Sequence, residues 1–168
     1  MPEIVLLIVF PALMAYAGAS DLLTMTIPNR LSVALCAVFG LLALWIGMDG
    51  TAILLHVAAG AAVLAVTFGL FAAGWIGGGD AKLAAATALW LGFDTLPDYL
   101  MLAAIAGGAL TVAILVLRIT PLPLFAASWS WLSRLKEPKS GVPYGIALAG
   151  AALAVYPHTR IWLDALAH

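Results

Sequence analysis

Six apolar runs, separated by short polar stretches, dominate this sequence. They lie near residues 4–20, 31–47, 52–75, 82–93, 99–117 and 143–157. A segment inside the hydrocarbon core of a bilayer must satisfy its own backbone hydrogen bonds, and a helix does so within one segment. Several of the runs approach the length of about 20 residues that a helix needs to cross a bilayer. We therefore predict an all-α, polytopic membrane helix bundle with about six transmembrane segments.

The composition supports a single membrane domain over residues 1–168. The chain is 65% hydrophobic and only 9% charged, whereas a soluble domain usually has about 25% charged residues. A net charge of -1 gives no reason to expect a nucleic-acid partner. Cys36 is the only cysteine, which excludes an internal disulfide, and we expect it to be a small buried apolar residue. Because no Lys or Arg precedes residues 4–20, we predict a retained span there and not a cleaved signal peptide.

The placement of Lys and Arg predicts the orientation of the bundle, because these residues are in excess on the cytoplasmic side. With the N-terminus outside, six of the seven basic residues fall on the inner side, namely Arg30, Lys82, Arg118, Arg134, Lys136 and Lys139. Residues 118–142 then form the longest inner loop, and its middle is predicted to be an amphipathic segment on the membrane surface. Four tryptophans near the ends of runs are predicted interfacial anchors: Trp45, Trp75, Trp90 and Trp162.

Two aspartates, Asp21 and Asp80, most need an explanation, because an acid at membrane depth is costly. The predicted orientation places both at the cytoplasmic end of the bundle. Asp21 is followed by Ile27-Pro28-Asn29, and proline disfavours a helical conformation in the residue before it. We expect Asp21 to end a helix and Asn29 to cap the next one. Taken alone, Asp21 could equally be a solvated residue at a helix end.

The second aspartate lies in the stretch Gly77-Gly78-Gly79-Asp80-Ala81-Lys82. The apolar run that follows is short, so we expect the glycine stretch to be irregular backbone within the membrane, beside a wet cavity. Three residues without side chains could let an extended peptide approach the backbone. Taken alone, Asp80 could be an N-cap after a glycine loop. Lys82 is expected to reach toward the lipid headgroups.

A pair of carboxylates at one depth suggests acid–base chemistry. When both are ionised they repel each other, which favours a state that holds one shared proton. Such a pair contains an acid and a base, as in aspartic proteases. The base takes a proton from water, and the acid protonates the carbonyl oxygen and later the leaving amine. This chemistry requires no metal or cofactor, and none of the three histidines, His56, His158 and His168, is expected near the acids.

The motifs resemble those of the type IV prepilin peptidases, the GxGD family of intramembrane aspartic proteases. Asp21 with Ile27-Pro28-Asn29, the GxGDxK stretch at residues 77–82, and Pro143-Tyr144-Gly145 occur in the family's order. The resemblance implies that Asp21 and Asp80 are the catalytic pair. It also implies two supporting sets. The site loop is shaped by Gly77, Gly78, Gly79 and Lys82, and the site is supported by Ile27, Pro28, Asn29, Pro143, Tyr144 and Gly145.

The same resemblance implies a substrate and a location. The substrate is a prepilin or pseudopilin with a short basic leader and an apolar helix, cut on the cytoplasmic side of a bacterial inner membrane. The cut commonly follows a glycine, with a glutamate a few residues beyond it. Larger relatives carry a cytoplasmic insertion with cysteine pairs and also methylate the new N-terminus. This chain lacks that insertion, so we expect cleavage without methylation. Its size is similar to that of the short peptidases of tight-adherence (Flp) pilus systems, and the pilus assembly machinery is an expected partner.

Two other classes of function remain open from the sequence. Intramembrane acids and glycine breaks also occur in proton-coupled transporters, although the two halves of this chain show no internal repeat. A non-catalytic membrane subunit of a secretion system is the second alternative, and two intact acids argue against it.

Overall fold

The computed structural model describes residues 2–121, 129–137 and 140–167. These residues form seven α-helices and no strand, which confirms the all-α prediction. The helices are α1 (Pro2–Thr24), α2 (Asn29–Trp45), α3 (Gly50–Ala72), α4 (Gly78–Ile119), α5 (Ser130–Lys136), α6 (Tyr144–Val155) and α7 (Arg160–Ala167), and a 3₁₀ turn (Tyr156–His158) precedes α7. Of these, α1, α3 and α4 are long and apolar enough to cross a membrane. The count of six spans stays a prediction.

Helix α4 consists of two arms that meet at Gly92. The backbone there has φ 66° and ψ -179°, a combination that only glycine adopts without strain. The first arm, residues 78–91, packs on α3, and the second arm, residues 93–119, packs on α6. The fourth and fifth apolar runs are therefore the two arms of one kinked element. The first arm also begins earlier than its apolar run, so it is about 21 Å long.

Aromatic side chains fill the centre of the bundle. Trp90 is fully buried, and its ring lies 5.0 Å from that of Phe10. Its indole Nε1–H donates a hydrogen bond to the carbonyl of Leu35, at 3.0 Å, so the polar edge of this tryptophan is satisfied inside the protein. The prediction that Trp90 is an interfacial anchor is therefore wrong. By contrast, Trp45 and Trp75 are 61% and 76% exposed.

The burial predicted for Cys36 is also wrong. Cys36 is exposed on α2, at a face that points away from the bundle core. Helices α2 and α3 both pack on α4 and make little contact with each other. The face of α2 that carries the cysteine therefore borders a groove and not the protein core.

Several helix ends meet at one end of the bundle, which we call the acid end because Asp21 and Asp80 lie there. The C-terminus of α1, the N-termini of α2, α4 and α6, and the C-terminus of α4 all lie at this end, together with α5. Asp49, Asp94 and Arg160 lie at the opposite end, where Arg160 Nε is 3.0 Å from Asp94 Oδ2 in an exposed ion pair.

Basic side chains hold helix ends together at the acid end. Arg134 Nη1 of α5 donates a hydrogen bond to the carbonyl of Leu23 in the last turn of α1, at 2.8 Å. Lys136 Nζ donates to the carbonyl of Thr120, which follows α4. Cations at helix C-termini interact favourably with the unpaired carbonyls there. Short helix α5 is thereby fastened across two longer helices, next to the aspartates.

The long loop after α4 is described only in part. Arg118 Nε donates a hydrogen bond to the carbonyl of Leu135, at 3.1 Å, which ties α5 back to the end of α4. Residues 122–128 and 138–139, including much of the predicted amphipathic segment and Lys139, lie outside the described residues. Which side of a membrane this loop faces stays a prediction.

Candidate active site

Asp21 lies in the last turn of α1 and is only 5% exposed. The prediction that Asp21 ends this helix is wrong, because the helix continues to Thr24. Asp21 Oδ2 accepts a hydrogen bond from the backbone N–H of Gly145, at 2.7 Å. Gly145 is the second residue of α6, so its N–H has no partner within its own helix. The carboxylate is thus held at a helix N-terminus, where the helix dipole favours an anion.

Asp80 is the third residue of α4 and is partly buried. Its carboxylate faces the backbone N–H of Gly77, which is the N-cap residue of the helix. An acid three residues after the N-cap that turns back toward it is one half of a capping box. Asp80 is therefore not itself the N-cap. Ile27 packs on Gly79, the residue before Asp80, and on Gly145, which is bonded to Asp21, so the fold brings the two acids to the same part of the bundle.

The three glycines before Asp80 pack against the protein's own side chains. Gly78 and Gly79 are already helical, so the prediction of irregular backbone in this stretch is wrong beyond Gly77. A Cβ on Gly78 would lie 3.2 Å from the ring of Phe71, and one on Gly79 would lie 3.2 Å from Cβ of Ile27. At these two positions the missing side chains are needed for internal packing.

Ile27 lies between the elements that carry and hold the two acids. It packs on Gly79 of α4, as described above, and also on Gly145 of α6. A Cβ on Gly145 would lie 2.8 Å from Ile27 Cδ1 and 2.8 Å from Asp21 Oδ2. Interiors packed this closely do not absorb an extra methyl group without displacement. The side chain of Ile27 therefore sets the spacing between the N-termini of α4 and α6.

The loop that carries Ile27 is fixed by local hydrogen bonds. Met25 has φ 56°, an uncommon conformation for a residue with a side chain, and its N–H donates to the carbonyl of Asp21 at 2.8 Å. This left-handed residue ends α1 in the manner of an αL cap. Ser20 Oγ donates to the carbonyl of Thr26, at 2.9 Å. The sequence reasoning missed Ser20 and Met25, although the serine adjoins the acid.

A side-chain hydrogen bond joins the first two motifs. Lys82 Nζ donates to Asn29 Oδ1, at 2.9 Å. Asn29 is the first residue of α2, and Pro28 occupies the N-cap position without a side-chain cap bond. The prediction that Asn29 caps this helix is therefore wrong, because its side chain bonds to α4. The Lys82 side chain is exposed, as expected, but its ammonium group has a protein partner.

The third motif places the N-terminus of α6 at the site. Pro143 is buried at the N-cap position, and Tyr144 Oη lies within hydrogen-bonding distance, 2.9 Å, of Thr111 Oγ1 in the second arm of α4. These contacts fix the first turn of α6, so that the N–H of Gly145 points at Asp21. The sequence predicted that this motif packs near the cleft, but did not predict its direct bond to an acid.

His56 lies away from the acids. His56 Nδ1 is 2.8 Å from the carbonyl oxygen of Leu89, toward the opposite end of the bundle. Within residues 2–121, 129–137 and 140–167, no group of three or more His, Cys, Asp or Glu side chains is arranged to hold a metal ion. Two carboxyl groups at one site are suited to proton transfer to and from a bound water.

These features define a class of protein: an α-helical membrane protein in which two helices each bring one acid to the same end of the bundle. The comparisons with known proteins identify the family within that class. The chain matches the family model of the type IV leader peptidases over residues 8–112, a region that contains Asp21 and Asp80 but not the third motif. Because the match covers more than half of the chain, this protein belongs to the type IV leader peptidase family. The resemblance inferred from the motifs is confirmed.

Two curated relatives show the same relationship. The chain is 35% identical over 89 residues to the prepilin leader peptidase/N-methyltransferase of Burkholderia pseudomallei strain 1026b, and equally to that of strain K96243. In each case the aligned part is 52% of this chain and 24% of the relative. The chain thus spans about a quarter of the length of these curated relatives. No solved structure gives a significant match.

Proposed function

We propose that this chain is a membrane-embedded aspartic endopeptidase that removes the short leader of a type IV or tight-adherence prepilin, or of a pseudopilin. One observation carries the proposal: in a member of the type IV leader peptidase family, Asp21 and Asp80 come from different helices, and Ile27 packs both on Gly145, which is bonded to Asp21, and on Gly79, which precedes Asp80. The curated relatives are prepilin leader peptidases by name, which supports the choice of substrate class.

The reaction follows from the chemistry of a carboxyl pair that holds one proton. The ionised carboxylate takes a proton from a water molecule, whose oxygen attacks the carbonyl carbon of the scissile peptide bond. The protonated carboxyl group gives its proton to the carbonyl oxygen as the tetrahedral intermediate forms. The carbon–nitrogen bond then breaks, the leaving amine receives the proton that was taken from water, and a hydroxyl proton of the intermediate returns to the other carboxylate as the carbonyl reforms. The N–H of Gly145 holds Asp21 in place throughout.

The orientation and location belong to the same proposal. Four of the basic residues predicted for the inner side, Lys82, Arg118, Arg134 and Lys136, lie at the acid end, whereas Arg160 lies at the other end. By the positive-inside rule the acid end faces the cytoplasm. We therefore place the protein in a bacterial inner membrane, as one domain of about six spans, with the loop at 118–142 on the cytoplasmic side.

We further propose that the chain acts as a short-form peptidase without methyltransferase activity. The motif resemblance implies cysteine pairs for the longer, bifunctional form, and Cys36 is the single cysteine of this chain. Mass spectrometry of the processed substrate tests this point. A methyl group on the new N-terminus, made by this chain alone, would contradict it.

The test of the main proposal is co-expression with an epitope-tagged, tight-adherence-type prepilin that carries a short basic leader. Wild type is compared with Asp21→Asn and Asp80→Asn, each of which removes one titrating group at constant size. We expect both variants to lose leader processing. Asp49→Asn and Asp94→Asn, at the opposite end, are the matched controls and should process normally. A well-folded Asp21→Asn or Asp80→Asn variant that processes at the wild-type rate would refute the role of the pair.

A further inference from the structure

An open apolar groove runs between α2 and α3, and the first arm of α4 forms its floor. It encloses about 800 Å³. Helices α2 and α3 each pack on α4, and the rings of Phe39 and His56, 5.4 Å apart, join the two walls at the end away from the acids. The groove is lined by apolar and small side chains, among them Val33, Cys36, Gly40, Val57, Leu64 and Ala86. The acid-end limit of the groove is formed by Ser32 and Lys82.

The shape of the groove suits a helix. Along α3 its lining extends from Ile53 to Leu64, which is about 17 Å at 1.5 Å per residue. Small residues in the walls allow the backbone of a neighbouring helix to come close. Gly40 is informative, because a Cβ at this position would meet nothing within 4 Å. Its lack of a side chain serves no packing within the protein and leaves the groove wide.

The charge of the groove indicates what kind of helix would fit. Lys82 is the single charged residue among its lining residues, and its ammonium group is bonded to Asn29 at the acid end. Lys82 follows Asp80 by two residues in the first turn of α4, so the groove ends at the same end of the bundle as the acid pair, although the two side chains lie on different faces of that turn. An ammonium group at the end of an apolar groove favours an occupant with a carboxylate at the same depth, because unpaired charges are costly there.

We propose that this groove binds the apolar helix of the prepilin, and that Lys82 pairs with an acidic side chain of that helix just beyond the scissile bond. The inference rests on the proposed function and adds to it the route and the specificity contact. The helix would occupy the space between α2 and α3, with its leader end extending past Lys82 and around the first turn of α4 to the aspartates. Lys82 is then a specificity-determining residue, and it fixes which peptide bond reaches the acids.

The native Cys36 allows a direct test. The Asp80→Asn variant retains Cys36 in the groove wall and should hold uncleaved prepilin. It is co-expressed with a tight-adherence-type prepilin that has one cysteine within its apolar helix, and then mildly oxidised. We expect a disulfide-linked adduct through Cys36. The matched control carries Cys36→Ala and Val112→Cys in the same background, because Val112 is 61% exposed on the second arm of α4 and lies outside the groove.

The outcomes separate the groove from the peptidase. If the wild type cleaves this prepilin but Cys36 forms no adduct, or forms no more than the Val112→Cys control, the groove proposal is overturned and the proposed function stands. If the wild type does not cleave it, the proposed function fails and takes the groove proposal with it. The substrate cysteine can be moved to several positions along one face of the apolar helix. Adducts with Cys36 at these positions, and none with the Val112→Cys control, support binding as a helix.

Two variants test the shape and the charge of the groove by kinetics. Gly40→Leu places a side chain in the open groove and should raise KM at least tenfold with little change in kcat. Gly108→Leu, at a second position with nothing within 4 Å, is the control and should leave KM unchanged. If Gly40→Leu also leaves KM unchanged, the groove holds lipid and the proposal is overturned.

The charge pairing is tested by reversal on both sides. Lys82→Glu should lower kcat/KM for the natural prepilin at least tenfold. A prepilin with Lys in place of its acidic residue should recover cleavage by Lys82→Glu and lose it with the wild type. A purely structural role of Lys82, through its bond to Asn29, would not respond to a change in the substrate. Absence of recovery, with both proteins folded, contradicts the pairing.

Discussion

Replacement of Gly145 by alanine tests how the acid pair is positioned. The added Cβ would lie 2.8 Å from Asp21 Oδ2, 2.8 Å from Ile27 Cδ1 and 2.9 Å from Asp21 Cβ. Atoms do not approach so closely, so either the carboxylate or the start of α6 must move. In both cases the 2.7 Å hydrogen bond from the Gly145 N–H to Asp21 is weakened or lost.

The size of the effect follows from that bond. A hydrogen bond to a charged group contributes about 1.5–3 kcal/mol. At about 1.4 kcal/mol for each factor of ten in rate, its loss from the reacting state lowers the cleavage rate roughly ten- to hundredfold. The fold itself should persist, because overpacking at one buried position costs about 1–3 kcal/mol. Alanine also recovers about 0.5–1 kcal/mol over glycine in a helix.

The assay is the initial rate of leader removal by purified enzyme in lipid nanodiscs, with a tight-adherence-type prepilin as substrate. Thermal unfolding of the same samples reports whether Gly145→Ala remains folded. Gly150→Ala is the matched control, because it lies in the same helix and a Cβ there meets nothing within 4 Å. Equal cleavage rates for Gly145→Ala and Gly150→Ala would refute the idea that the amide of Gly145 positions Asp21.

Three further predictions concern the same protein. Gly79→Ala should reduce the cleavage rate severalfold, because its Cβ would lie 3.2 Å from that of Ile27. Gly69→Ala is the control, since a Cβ there meets nothing within 4 Å, and equal rates for the two variants would contradict the packing argument. The pH–rate profile should be bell-shaped, because the pair needs one shared proton, and a flat profile from about pH 5 to 9 would count against that state. Hydrogen bonds from the Thr51 N–H hold the pKa of Asp49 below its ordinary value. The stability that Asp49 contributes as the cap of α3 should be complete above about pH 4 and lost as the pH falls through the lower, folded-state pKa. The unfolding temperature of Asp49→Ala should therefore lie below that of the wild type at neutral pH, and the difference should shrink in acid. A difference that does not change with pH would contradict the assignment.

Much of the fold could be predicted because a bilayer leaves the backbone few choices. The apolar runs predicted helices, and the placement of Lys and Arg predicted that Asp21 and Asp80 share one end of the bundle. The kink at Gly92 was not predicted, since a single glycine in an apolar run does not reveal its φ. Helix α7 was not predicted either, because it is short and follows the last apolar run.

The errors at individual side chains have a common physical cause. Lipid and protein interior are both apolar, so the residues of a span do not show which face packs on other helices. Trp90 was assigned to the membrane surface and lies in the core, whereas Cys36 was assigned to the core and is exposed. The bond between Asp21 and Gly145 was missed because it depends on tertiary packing, and no spacing in the sequence predicts it.

The position of Ile27 has a consequence for how such a site can change over time. One branched side chain separates the first turns of α4 and α6, and glycine at both contact points gives it the room it needs. A methyl group gained at residue 79 or 145 would call for one lost at residue 27, so these three positions should vary together among descendants of this chain. The distance between the two acids then depends on the combined side-chain volume at these three positions. Substitutions there can change that distance without replacing either carboxylate.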